Sequence, residues 1–245
     1  MIGLPDHVTA CLFDLDGVLT GTAALHRAAW KETFDGFLRR RDGDAFREFT
    51  EADYNSYVDG RPRFDGVRAF LASRDIVLPE GDPDAAPSDD TVQGVGNRKN
   101  IRVQEIIAER GVSPFPGSVR YLKAARAAGV RIGVVTSSAN GAAVLDAANL
   151  TPFVEARIDG VVIAERNLPG KPAPDSFLAG AEALGVAAEH TAVFEDALSG
   201  VRAAATGGFG YVVGVDRAGQ ADQLRAHGAD VVVTDLAELL EEGDA

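Results

Sequence analysis

Cationic side chains are scarce in this chain: 24 Lys and Arg stand against 37 Asp and Glu, a formal net charge of −13. Nucleic acid and anionic membrane surfaces are therefore not expected partners, because both call for a basic face. Cysteine is nearly absent as well. Cys11 is the only one, so no intrachain disulfide can form, and its place inside an apolar run reads as a buried, inert thiol. No run approaches the roughly 20 apolar residues of a membrane span. Residues 1–7 have neither the basic segment nor the apolar stretch of a secretory leader. Cytoplasm is the expected location. No internal repeat is evident, and no heptad seam demands a second copy, so a monomer is expected.

What is present is 245 residues, 46% of them hydrophobic, enough for one good core or for a core domain with a smaller companion. Short apolar runs at 8–13, 130–135, 191–194, 211–215 and 230–234 read as strands. Helical patterns fill the gaps at 117–128, 141–150, 175–184, 197–206 and 218–227. Strands alternating with helices predict βαβ units, and solid apolar runs predict a parallel sheet covered on both faces. Residues 22–102 break this rhythm. An amphipathic helix over 22–39 carries Leu25, Ala29, Trp30, Thr33, Phe34 and Phe37 on one broad face. The stretch 79–96 is rich in Pro, Asp and Gly and reads as a long loop. The expected fold is α/β, with a Rossmann-like parallel sheet formed by 1–21 and 103–245 and an α-helical domain, 22–102, inserted after the first strand. The acidic stretch 238–244 reads as a solvated tail.

Four segments at predicted strand ends carry chemistry. Asp14-Leu15-Asp16-Gly17 follows the first strand. Two carboxylates spaced two apart on an extended chain point the same way, with Gly17 permitting a sharp turn behind them. The plain alternative is an ordinary Asp/Gly turn. Thr136, Ser137, Ser138 and Asn140 follow the second long strand, where they form either an anion cradle or a simple helix cap. Lys171, just ahead of Pro172 and Pro174, is either a phosphoryl-neutralising cation on a stiffened loop or an exposed surface lysine. Glu195 and Asp196 place a second acid pair at a strand end. With Asp14 and Asp16 they would crowd four acids at one sheet edge, which calls for a cation such as Mg²⁺.

This ordered set resembles the haloacid dehalogenase superfamily. Residues 13–20, the helix carrying His26 and Trp30, Gly60-Arg-Pro-Arg63, Arg98-Lys99-Asn100 and Lys171-Pro-Ala-Pro-Asp175 are similar to the β-phosphoglucomutase-like family within it. The resemblance implies an α-helical cap in the inserted segment, Asp14 as nucleophile and Asp16 as general acid/base. It implies Thr136 and Lys171 as phosphoryl holders, and Mg²⁺ on Asp14, Asp16, Glu195 and Asp196. His26, Trp30, Arg63 and Lys99 in the cap, with Ser137, Ser138 and Asn140 in the core, would bind a small sugar phosphate. Arg61 competes with Arg63, and His26 and Trp30 also suit plain packing. Gly21 stands where the family often has an acid, and Ala139 where it has a lysine. The implied activity is interconversion of β-glucose 1-phosphate and glucose 6-phosphate through a bisphosphate, with sugar-phosphate hydrolysis as the alternative.

Overall fold

The first apolar run becomes strand β1, Ala10–Phe13, with every residue buried. A strand covered on both faces has no use for alternation, and its sequence shows none. The computed structural model describes residues 2–240. In it β1 is joined by β2 (Arg131–Val135), β3 (Ala156–Ile158), β4 (Thr191–Glu195), β5 (Tyr211–Val215) and β6 (Val231–Val233) in a six-stranded sheet ordered β3-β2-β1-β4-β5-β6. All five pairings are parallel. The expected α/β, Rossmann-like sheet is what the chain forms.

The chain runs outward from β1 to β3, then returns to place β4 on the other side of β1. Such a reversal opens a crevice at the carboxyl ends of the two central strands, where ligands bind in open α/β sheets. Here those ends are Phe13 and Glu195, with Phe13 opposite Phe194 in register. Helices α4 (Pro116–Ala127), α5 (Gly141–Ala147), α6 (Gly160–Glu165), α7 (Asp175–Leu184), α8 (Leu198–Thr206) and α9 (Ala221–Ala226) connect the strands. Leu12, Val135, Phe177, Leu184, Val193 and Val201 lie in one apolar cluster beneath α7 and α8.

The chain divides into two compact units, one of Met1–Gly21 with Val112–Ala245, the other Thr22–Gly111. The second unit contains α1 (Ala23–Asp42), a short helical stretch over 51–58, α2 (Arg63–Ala72) and α3 (Val92–Arg110). Its core is aromatic: Trp30, Phe34, Phe37, Phe49 and Phe70 with Leu38, Val67 and Val95. No described helix is long and apolar enough to cross a membrane.

Several expectations need correction. The inserted unit closes at Gly111 rather than 102, because α3 runs unbroken to Arg110. The loop expected over 79–96 ends at Thr91, whose hydroxyl accepts from the Gly94 amide and caps α3. Helix α1 continues past Arg39 to Asp42. Strand β3 was not anticipated. Of the acidic tail, Glu238 is not loose but completes a capping box with Asp235 at the short helix Leu236–Leu239; residues 241–244 lie outside the described residues.

Candidate active site

The strand-to-turn junction after β1 gives the site its frame. Asp14 remains tied to the sheet through its amide, which donates to the Phe194 carbonyl at 2.9 Å. The chain then turns back. The amide of Gly17 donates to the Thr20 carbonyl at 2.8 Å, and the Thr20 hydroxyl donates to the Leu15 carbonyl. Gly17 has φ +94°, and a Cβ there would lie 1.8 Å from Asp196 Oδ2. Only glycine satisfies both the backbone conformation and the contact. The two acid-bearing loops are therefore in direct contact.

Lys171 lies between them. Its ammonium donates to Asp14 Oδ1 at 2.7 Å and to Glu195 Oε1 at 2.5 Å, with the Val135 carbonyl at 3.4 Å. The ring of Phe177 lies below, 4.7 Å from Nζ. Lys171 is 2% exposed, which rules out the surface-lysine alternative. Burial works against its charge, but Asp14 and Glu195 overcome that and hold its pKa above the ordinary lysine value. Burial also drives the Glu195 carboxyl upward, to about 7; Lys171 opposes that rise while Asp14 adds to it. The second oxygen of Glu195 accepts from the Ala197 amide at 2.8 Å.

Gly200, which reads as merely structural in the sequence, makes this arrangement possible. A Cβ at that position would fall 1.8 Å from Glu195 Oε1 and 2.1 Å from its carboxyl carbon.

The loop after β2 forms the third wall. Thr136 is buried, and its hydroxyl lies 3.4 Å from Asp16 Oδ2 while accepting from the Ser138 amide at 3.1 Å. Ser138 in turn accepts from the Asn140 amide and, through its carbonyl, from Gly160. Asn140 precedes α5 without a side-chain cap bond, so the simple helix-cap alternative does not describe it.

The four acids do not form a side-chain cage. Among the described residues no three Asp, Glu, His or Cys side chains are arranged to hold a metal ion. Glu195, expected as a ligand, is committed to Lys171 and Ala197. What the loops do offer is hard oxygen: the Asp14 and Asp196 carboxylates and main-chain carbonyls in contacting turns. That donor set fits Mg²⁺, which keeps several waters and takes one or two carboxylates plus substrate phosphate.

The inserted unit gathers its own group. Lys99 Nζ lies 2.8 Å from His26 Nδ1 and 4.9 Å from the centre of the Trp30 ring, with all three buried. Trp30, expected among substrate contacts, is instead a core residue, stacked on Phe34 at 4.9 Å. Arg63 opens α2 with its guanidinium over the Phe64 ring, and its buried Nε and Nη1 have no hydrogen-bond partner. Burial lowers its pKa. Of the two candidate arginines, Arg63 is the one held with donors to spare.

His26 carries a testable signature. Burial, and secondarily the charge of Lys99, push its pKa well below the ordinary 6.5. Below pH 6.5 the unfolded chain therefore binds a proton that the folded chain refuses. Its contribution is complete above pH 6.5 and is lost as pH falls, at up to about 1.4 kcal/mol per pH unit. Denaturant unfolding of His26→Gln should lack that slope between pH 6.5 and 5. A variant with the wild-type slope would refute the buried neutral imidazole.

Motif reading missed the loop after β5. From that loop Arg217 donates to the Gly17 carbonyl, and Gln220 to that of Asp196. No motif marks either side chain, since both act on main-chain atoms.

Comparison with known proteins identifies the family. The model of the haloacid dehalogenase-like hydrolase family matches residues 8–208. A β-phosphoglucomutase of Mycobacterium bovis is 55% identical, over 98% of this chain and 94% of its own. A β-phosphoglucomutase of Bacillus subtilis is 30% identical, over 94% of this chain and 91% of its own. The crystal structure of CbbY from Rhodobacter sphaeroides in complex with phosphate superposes with a TM-score of 0.71 at 26% identity, covering 95% of this chain and 96% of that one.

Proposed function

We propose, for a chain that belongs to the haloacid dehalogenase-like hydrolase family and within it to the β-phosphoglucomutase-like branch, the activity of a Mg²⁺-dependent β-phosphoglucomutase. It would interconvert β-glucose 1-phosphate and glucose 6-phosphate through glucose 1,6-bisphosphate and an aspartyl-phosphate enzyme. The observation that carries this reading is the buried Asp14–Lys171–Glu195 ion triad at the β1/β4 crevice, with Asp16 two residues along.

In this reading the phosphorylated Asp14, a mixed anhydride, gives its phosphoryl group to the free hydroxyl of β-glucose 1-phosphate while Asp16, held near Thr136, takes that hydroxyl's proton, and glucose 1,6-bisphosphate forms. Once the bisphosphate has turned end for end, the Asp14 carboxylate attacks the other phosphorus and displaces the sugar oxygen, regenerating the aspartyl phosphate. Asp16 returns its proton to that departing oxygen. Lys171, kept cationic by its two carboxylates, draws negative charge off the equatorial oxygens, with the Thr136 hydroxyl as a further donor. Asp14, Asp196 and the main-chain carbonyl of Asp16 would hold Mg²⁺, which supplies further charge neutralisation at the transferring group.

Arg63 would take the non-reacting phosphate, and its two unpartnered nitrogens favour a mutase over a simple phosphatase. Ser137, Ser138 and Asn140 would line the sugar phosphate in the core, and His26 and Lys99 would contact the sugar. Losing a charged hydrogen bond costs roughly 1.5–3 kcal/mol, so Arg63→Ala should raise KM in the bisphosphate-dependent reaction by about 10- to 100-fold. Hydrolysis of a small phosphate donor should change much less. Equal losses in both would remove Arg63 as the distal anchor.

The activity itself is tested by phosphorus NMR with β-glucose 1-phosphate, Mg²⁺ and a trace of glucose 1,6-bisphosphate. Conversion to glucose 6-phosphate with little inorganic phosphate is expected. Inorganic phosphate as the main product would make the chain a phosphatase with the same nucleophile.

A further inference from the structure

The loop after β5 is built to grip backbone. Asp216 Oδ1 accepts from the amides of Ala218 and Gln220 at 3.1 and 2.9 Å, fixing the turn. From this platform Arg217 Nε donates to the Gly17 carbonyl at 2.8 Å, and its Nη1 to the Thr234 carbonyl at 2.7 Å. Its guanidinium lies 3.9 Å from the centre of the Phe115 ring. Gln220 Nε2 donates to the Asp196 carbonyl at 3.0 Å. One loop thus holds both acid-bearing turns from outside, at the point where Gly17 and Asp196 touch.

We propose that Arg217 and Gln220 are positioning residues for phosphoryl transfer. By pinning the Gly17 and Asp196 carbonyls to one turn, they set the spacing at which the two loops present oxygens to a divalent cation. This rests on the cation reading above and extends it to residues that touch neither metal nor substrate. The bonds are individually modest, but two carboxylate loops in contact repel each other, and a fixed anchor on each opposes their drifting apart. Arg217 contributes a planar fork that bonds two carbonyls at once while stacking on Phe115, a combination lysine lacks.

The test is calorimetric titration of Mg²⁺ into the intact wild-type protein, Arg217→Met, Arg217→Lys and Gln220→Leu, with thermal unfolding of each in the absence of Mg²⁺. Loss of an outer partner of a metal ligand typically weakens metal affinity 10- to 100-fold. Arg217→Met and Gln220→Leu should therefore each raise the Mg²⁺ dissociation constant about tenfold, with their metal-free unfolding temperatures close to wild type. Arg217→Lys, which keeps the charge and one donor, should fall between wild type and Arg217→Met. Wild-type affinity in both Arg217→Met and Gln220→Leu would overturn this inference while leaving the cation site standing. Failure of the wild type to bind Mg²⁺ would overturn the cation reading, and this inference with it. If both variants unfold, the loop is a structural staple and the inference falls.

Discussion

Replacing Asp14 with asparagine is expected to cut turnover by on the order of 10⁴-fold or more while leaving the protein as stable as before. The substitution preserves shape, and the asparagine oxygen can still accept from Lys171 as Asp14 Oδ1 does at 2.7 Å. It removes the negative charge that pushes the Glu195 carboxyl upward. Lys171 keeps Glu195 as its ionic partner at 2.5 Å, so no buried charge is left alone. Chemistry is lost because a neutral amide cannot form the acyl phosphate. Sites of this kind trade stability for function, and the thermal midpoint should hold or rise. Turnover within tenfold of wild type would remove Asp14 as the nucleophile.

Much of this site is legible in the sequence. Residues 14 and 16 stand two apart after an apolar run, and nothing in tertiary structure was needed to place them together. Helix α7 over 175–184 and strand β5 over 211–215 match their expected bounds, because each is a strong periodic or apolar run between clear breakers. Strand β3 escaped because its three residues are Ala-Arg-Ile at the sheet edge, with Arg157 exposed. A short edge strand makes no apolar run. The first turn of α3 escaped because Gly94 and Gly96 break its periodicity, although Thr91 ahead of it was a readable cap. The status of Lys171 was undecidable for a different reason. A lysine just ahead of two prolines looks the same in sequence whether it meets water or two carboxylates, and only the convergence of β1 and β4 decides it.

Lys171→Met is the second large expectation, and it acts on stability as well as activity. Methionine fills the space over Phe177 but offers Asp14 and Glu195 no cation. Both carboxylates are nearly sealed from solvent, with side-chain exposures of 9% and 1%. Removing one partner of a buried ionic group strands the other charges, at about 3–5 kcal/mol. Part of that loss should return on acidification, since a stranded buried carboxyl binds a proton more tightly when folded than when unfolded. Chemical denaturation of the variant should therefore show stability rising from pH 8 towards pH 6. Arg217→Met offers a contrast, because its side chain sits at an exposed position over the same loops and should leave the metal-free fold intact. A loss under about 1 kcal/mol for Lys171→Met would mean that the triad is solvated and that its charge is cheaply replaced.

The placement of Trp30 has a practical consequence. It is the chain's one tryptophan, and it belongs to the Thr22–Gly111 unit, stacked on Phe34 with the Lys99 ammonium facing its ring. Excited at the red edge of the indole band, the protein has a single emitter, and the sheet-bearing unit is dark in that channel. The quantum yield and wavelength of that emission report on the aromatic core of one unit alone. A charged neighbour at 4.9 Å makes them sensitive to any displacement of Lys99. The protein thus carries, without any label, an optical reporter for the unit that carries Arg63 and His26.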